Sequence, residues 1–215
     1  MQATFLVLGY GVPKHILRDE NYHAYLRMVI NNIFTIALAH KIAKPFIIFC
    51  GGLTDCFKPY RRNEAEEMIK LFRALIQQKS HLKSFTAQWA LIAEKESLST
   101  LENLLNPQEL VTVFCEYTRG LRVAKVARKV FGAGVPVKVE PIDFDMSPNR
   151  YLAQEFIAKK EKAELAHSLW ALKSPEHVKR HHEVFQEKLV YFRSMGPAKQ
   201  SDAIRIWWEK KLKEE

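Results

Sequence analysis

The sequence predicts an α/β protein: an open, mainly parallel sheet flanked by helices, with a C-terminal helical extension. Three observations carry this. Short apolar runs alternate with segments of helical periodicity over the first 140 residues or so. The runs are apolar throughout, as strands covered on both faces are, rather than alternating. After about Met146 the alternation stops and only helical patterns follow. The expected organisation is a core over 1–145 and a helical extension over 146–215 packed on it.

In order, Thr4-Phe5-Leu6-Val7-Leu8 reads as the first strand, ended by Gly9-Tyr10-Gly11-Val12-Pro13. From about Glu20 to Lys44 a helix is expected, with Tyr22, Leu26, Val29, Ile30, Ile33 and Ala37 on its apolar face and Pro45 preventing continuation. Phe46-Ile47-Ile48-Phe49 is the second strand, left by Cys50-Gly51-Gly52. A loop with Asp55, Lys58, Arg61 and Arg62 leads to Asn63, which can cap a helix opening Glu64-Ala65-Glu66-Glu67-Met68. Ala87 to Ala93 is the third strand. The helix after it is short, because Asn106-Pro107 breaks it. Leu110 to Phe114 is the fourth strand, and Cys115 to Thr118 leads into a basic helix closed by Gly132 and Gly134. A fifth strand begins at Val135, at a sheet edge because it carries Pro136. Arg150–Lys173, Pro175–Met195 and Ser201–Lys213 read as three helices, docked through Trp170, Phe185, Leu189, Phe192, Ile206 and Trp207.

The chain has 215 residues, with 47% hydrophobic and 27% charged, a composition that argues against extensive disorder. The net charge of +9 admits nucleic acid, an acidic surface or an anionic ligand as partner. Residues 1–145 hold 19 basic and 14 acidic residues, and 146–215 hold 14 and 10, so no basic arm stands out. No nucleic-acid-binding signature accompanies the charge, which leaves an anionic small molecule as the expected partner. No apolar run reaches membrane-spanning length, and no basic region precedes the first apolar one. With three scattered cysteines, the expectation is a cytoplasmic setting without a signal peptide.

In an open parallel sheet, ligands bind outside the carboxyl ends of the strands. The segments expected there are Gly9-Tyr10-Gly11, Cys50-Gly51-Gly52, Ser97 to Asn103 and Cys115 to Arg122. Ser99-x-x-Glu102 is also a capping box, which accounts for those two residues by helix capping alone. Capping does not call for Ser97, Thr100 or Asn103.

Together, Leu8-Gly9-Tyr10-Gly11-Val12, Cys50-Gly51-Gly52, Asn63 to Met68, Glu94 with Ser97-x-x-Thr100-x-Glu102-Asn103, and Cys115 to Arg122 resemble the YdcF-like family, which includes the SanA and ElyC envelope proteins. The resemblance covers roughly 3–140. It implies a Rossmann-like sheet with polar residues gathered at the strand ends, and an enzymatic role without an agreed reaction. Three departures stand out: Cys50 replaces a Ser, Cys115-Glu116 replace Thr-Ser, and Arg119 replaces a His that the resemblance implies as the acid–base group.

The expected site follows. Arg122 and Arg119 would hold the negative groups of an anionic or nucleotide-like molecule. Glu64 and Glu102 would orient it or act as catalytic acid–base groups. Thr100 and Asn103 would supply neutral hydrogen bonds, and Gly9, Gly11, Gly51 and Gly52 would let the backbone approach closely. The resemblance admits S-adenosylmethionine or a nucleotide as ligand. Two functions compete: a hydrolase or transferase, and a non-catalytic binding protein that has lost the acid–base histidine. Cys50 and Cys115 could be nucleophiles but read better as buried small residues. His177, His181 and His182 read as a solvated basic helix face in preference to a metal site, which is not expected. Trp207-Trp208 with the following lysines admits a membrane-surface helix, although docking of Trp207 on the core is preferred.

Overall fold

The computed structural model describes residues 3–104, 111–132, 134–144, 153–196 and 200–214. The expected chain break at Asn106-Pro107, the boundary at Met146 and the helix start at Arg150 lie outside them.

Five strands form one sheet: β1 (Thr4–Leu8), β2 (Phe46–Cys50), β3 (Ala90–Glu94), β4 (Val111–Glu116) and β5 (Val137–Ile142). All neighbours are parallel, in the order β3-β2-β1-β4-β5. The chain thus winds outward from β1 in one direction and then, after β3, in the other. This is an open, Rossmann-like α/β fold, with its topological switch between β1 and β4.

The eight α-helices among the described residues are α1 (Glu20–Ala39), α2 (Glu64–Gln77), α3 (Ser80–Thr86), α4 (Thr100–Leu104), α5 (Gly120–Phe131), α6 (Gln154–Ala171), α7 (Pro175–Met195) and α8 (Gln200–Glu214). Successive β1 side chains point to opposite faces, and each face has its own core. Phe5 and Val7 pack with α1, α2 and α3 around Tyr25, Phe49, Phe72 and Trp89. Leu6 and Leu8 pack with α4 and α5, and with Leu165, Trp170 and Ala171 of α6.

Local sequence sets the helix ends. The Asp19 carboxylate accepts from Tyr22 N (2.9 Å) at the start of α1. Asn63 accepts from Ala65 N and Glu66 N at the start of α2. Ser174 caps α7 with Pro175 at its first position. Helix α1 stops at Ala39, before the expected Lys44: Lys41 turns to φ 52° and Pro45 follows. The third strand is also shorter than expected, because Ser80–Thr86 forms α3, a helix too short for its periodicity to register. The fifth strand lies at the sheet edge as expected, but it starts at Val137, so that Pro136 precedes it and the proline within it is Pro141.

The last three helices arch over the carboxyl ends of the strands. α6 joins the core at α5, where Arg122 pairs with Glu161 and Glu164. α7 reaches the loop after β2, where Arg193 donates to the carbonyls of Leu53 (2.9 Å) and Asp55 (3.0 Å). Phe192 of α7 and Ala203 of α8 pack with Cys56 of that loop. One docking residue differs from expectation: Ile206 faces outward. Trp207 packs against the Cys56, Phe192 and Ala203 cluster with its ring on Tyr191, and its neighbour Trp208 is more deeply buried still. Among the described residues no helix is long and apolar enough to cross a membrane.

The β2 loop is itself held by charge. The buried Asp55 carboxylate accepts from Arg62 Nη2 (2.8 Å), Arg62 Nε (3.0 Å) and Phe57 N (2.9 Å), while Arg62 Nη1 donates to Pro13 O and Lys14 O. Asp55→Ala removes the nearer of Arg62's two carboxylate partners, leaving Glu67 at 3.9 Å, and is expected to cost about 3 kcal/mol in urea unfolding. A loss below about 1 kcal/mol would show that this clasp is not what holds the loop.

Candidate functional site

At the end of β1, Gly9 N donates to Cys50 O (3.2 Å); at the end of β2, Gly51 N donates to Glu94 O (3.2 Å). These bonds carry the ladder one residue past the strands and open a gap between the two glycines. Glu64, the first residue of α2, fills it. A Cβ on Gly9 would overlap the Glu64 carboxyl group, and one on Gly51 would come within 2.7 Å of Glu64 Oε2. The glycines are therefore required by close approach. The carboxylate accepts from Gly11 N, from the Tyr22 hydroxyl (2.7 Å) and from Thr54 Oγ1 (3.2 Å). With three donors on it, buried Glu64 braces the turn after β1.

Across the switch point, β4 runs into a 3-10 turn, Tyr117–Arg119, and then α5. Arg119 Nη1 donates to Gly9 O (3.0 Å), tying the turn to β1, while its buried Nε has no hydrogen-bond partner among the described residues. Arg122 is 4% exposed. Its Nε lies 2.6 Å from Glu161 Oε2, its Nη2 2.8 Å from Glu164 Oε2, and its Nη1 2.8 Å from Thr100 Oγ1. Burial opposes its charge, but the two carboxylates outweigh that and raise its pKa further. Both carboxyl groups are held below the usual range: burial pushes them up, and Arg122 and Lys160 more than reverse it.

Two lysines of the extension complete the charge cluster. Lys160 Nζ lies 2.9 Å from Glu161 Oε1. Lys188 Nζ lies 3.4 Å from Glu164 Oε1 and over the rings of Phe185 (4.7 Å) and Trp208 (5.0 Å). Burial lowers the Lys188 pKa to about 8 despite the adjoining Glu164. Between these groups and the glycine turns lies a cavity of about 200 Å³.

Of the expected site residues, Gly9, Gly11, Gly51, Glu64, Thr100, Arg119 and Arg122 line this cavity together. Gly52 and Glu102 do not. Gly52 is wedged against the backbone, with Ser97 O and Lys95 O within 3 Å of where its Cβ would be. Glu102 is turned back along its own helix: Oε2 accepts from Leu98 N (2.6 Å), and Glu102 N donates to Ser99 Oγ (3.3 Å). The capping arrangement governs it, with His182 Nδ1 3.3 Å from its other oxygen. Asn103 has its backbone in α4, and its side chain lies outside the described residues. Cys50 and Cys115 are buried, and burial raises both thiols, Cys115 to about 12, so neither is a thiolate at neutral pH.

The largest correction concerns the histidines of α7. His181 is 1% exposed, not part of a solvated face. Its Nε2 lies 3.1 Å from Ser99 Oγ, and its Nδ1 2.9 Å from Nδ1 of His167 on α6. Burial, then the neighbouring His167, lower its pKa to about 3, so the ring is neutral at physiological pH. The extension thus places a histidine against the Ser97–Thr100 segment, although Arg119 stands where an acid–base histidine was expected. A sequence signal for this exists: His181, Phe185, Lys188 and Phe192 recur at helical spacing, as do Lys160, Glu164 and His167. The first stripe mixes polar and apolar residues and the second is wholly polar, so neither has the uniform apolar character that marks a buried face.

Fold and site together define an open α/β protein with a charged cavity at its switch point, roofed by its own C-terminal helices. No family model, curated protein or solved structure matches the chain.

Two substitutions test this arrangement. Gly9→Ala forces Glu64 out of its place and is expected to cost about 1–3 kcal/mol in denaturant unfolding. Glu102→Gln keeps an acceptor for Leu98 N and is expected to change stability by less than about 0.5 kcal/mol. A large loss there would give the Glu102 charge a role beyond capping.

Proposed function

We propose that this chain binds a small anionic or nucleotide-like molecule in the cavity over the ends of β1, β2 and β4. The observation that carries the reading is the convergence of Arg119, Arg122, Lys160 and Lys188 on one small cavity that also has Glu64 and Glu164 in its wall. Clustered cations in a water-poor cleft favour a negative ligand, and phosphate or carboxylate matches their geometry. Arg119, with a buried Nε unpaired among the described residues, and Lys188 are the groups that would take the ligand's charge. Arg122, already shared between Glu161, Glu164 and Thr100, would organise the wall instead. This reading fits a YdcF-like protein, whose motif residues Glu64, Thr100 and Arg122 meet at the same cavity. A nucleotide and S-adenosylmethionine are the ligand candidates under that resemblance. A hydrolase or transferase is the favoured activity. The non-catalytic alternative is favoured by one observation, the three donors that occupy the Glu64 carboxylate.

The test is a thermal-shift and calorimetric screen with inorganic phosphate, pyrophosphate, adenosine monophosphate and S-adenosylmethionine. An anion that binds beside Lys188 requires the protonated amine. Its affinity is expected to fall roughly tenfold per pH unit above pH 8, where the amine loses its proton. Lys188→Met should weaken binding and flatten this dependence. Tight binding that ignores both pH and Lys188 would place the ligand elsewhere.

A further inference from the structure

We propose that Ser99, His181 and His167 form a nucleophile–base relay on the wall of this cavity, and that the protein cleaves small anionic carboxylic esters. The anionic character of the substrate rests on the binding reading above; the relay itself rests on its own geometry.

Ser99 lines the cavity, on the turn between β3 and α4. Its Oγ accepts from Glu102 N at 3.3 Å and lies 3.1 Å from His181 Nε2. In the relay the hydroxyl accepts from that backbone N–H on one lone pair and donates its own proton to the imidazole. His181 Nε2 is then the acceptor, so Nδ1 carries the ring proton and donates to His167 Nδ1 at 2.9 Å. That bond fixes the tautomer and ring plane of His181, the role of the third member of a serine triad. His167 is stacked on Trp170 (5.3 Å, 10° between planes), which holds it in turn. His181 is enclosed by Phe185 on its own helix and by His167 across the α6–α7 contact. It is neutral at pH 7, so its Nε2 lone pair is free; the burial that keeps it neutral also weakens it as a base, and Glu164 is the neighbour that favours the imidazolium. A satisfied structural histidine would also have one partner per nitrogen; what sets His181 apart is that one of its two partners is a serine on the cavity wall.

The chemistry balances without any group beyond water. Ser99 Oγ bonds to the ester carbonyl carbon as its proton passes to His181 Nε2. The Thr100 hydroxyl, polarised by Arg122 on the same wall, can donate to the developing oxyanion. The bond from carbonyl carbon to the leaving oxygen breaks, and the imidazolium protonates that oxygen, releasing the alcohol. Water then adds to the acyl-Ser99 with His181 again taking a proton, which passes to Ser99 Oγ as the acid leaves. The cations hold the substrate's carboxylate or phosphate throughout. Ser99 and His181 are the catalytic residues; His167 is a positioning residue.

The test uses an ethoxy fluorophosphonate, a neutral serine-directed probe, with the adduct mapped by peptide mass spectrometry on the whole chain. A single adduct on Ser99 is expected, lost in Ser99→Ala and retained in Ser97→Ala. His181→Gln should slow labelling by at least a hundredfold with circular dichroism unchanged. His167→Leu should slow it as well, and His167→Gln, whose amide oxygen can accept from Nδ1–H, should restore most of the rate. No adduct, an adduct at another residue, or a Ser99 adduct formed equally fast in His181→Gln would overturn the proposal. If His181→Gln does not fold, the two His167 variants decide it: equal rates in both overturn it. The probe carries no charge, so labelling in a protein that binds none of the screened anions would remove the anionic substrate and leave the relay standing.

Discussion

The buried guanidinium of Arg122 is the constraint around which the upper half of the molecule is arranged. Its position on α5 is fixed by the core beneath, where Val123, Val126 and Ala127 pack on the sheet. A charge at that depth cannot be left alone, because its desolvation would cost several kcal/mol without partners. Thr100 of α4 supplies one hydrogen bond, and two carboxylates from α6 supply the counter-charge. Two carboxylates beside one arginine then require further cations, and Lys160 and Lys188 provide them. The sequence of demands runs from core to extension, and each step brings another charged side chain to the cavity wall. The extension is thus held to the core as much by electrostatic necessity as by apolar contact.

Such a network is a poor source of net stability, since desolvation offsets much of the Coulombic gain. Its value lies in direction. A helix packed by apolar residues alone can slide or rotate with modest loss. One whose Glu161 and Glu164 must both meet Arg122 has a single acceptable register. That register is what brings His167 and His181 to Ser99 and the Lys188 ammonium over Phe185 and Trp208. The β2 loop follows the same logic on a smaller scale, with Asp55 between Arg62 and a pair of backbone N–H groups.

The core was legible because its signals are local. Apolar runs such as Thr4–Leu8, the Asn63 cap and the proline at the edge strand act within a few residues of themselves. The convergence of Gly9, Gly51, Glu64, Thr100 and Arg122 followed from one topological rule about strand ends. Arg122 illustrates where this stops. Its place was readable, but its partners lie on α6, 39 and more residues away, and nothing near it in sequence announces them. His181 was misplaced for a related reason. A histidine among Lys179, Arg180 and His182 has the composition of a solvated face, and only the packing of α7 on α6 shows that it points inward. Glu102 went the other way: its local capping pattern was visible and its N–H meets Ser99 Oγ as that pattern requires, although its carboxylate takes Leu98 N, one residue ahead of the cap, and lies 3.3 Å from His182.

The clasp of Arg193 on the β2 loop joins residues 138 and 140 positions apart. Closure cost grows only slowly with separation, so the order of synthesis distinguishes this clasp from the rest of the site better than its span does. The sheet and the glycine turns span separations as large as the 110 positions from Gly9 to Arg119, but all of their residues precede α6 in the chain. The floor of the cavity is therefore made from residues synthesised ahead of those of its roof. During synthesis, a chain that has not yet produced α7 has every residue of its sheet and strand-end turns, yet lacks the histidine that meets Ser99. Completion of the last helices is what converts a conventional sheet edge into an enclosed, charged compartment.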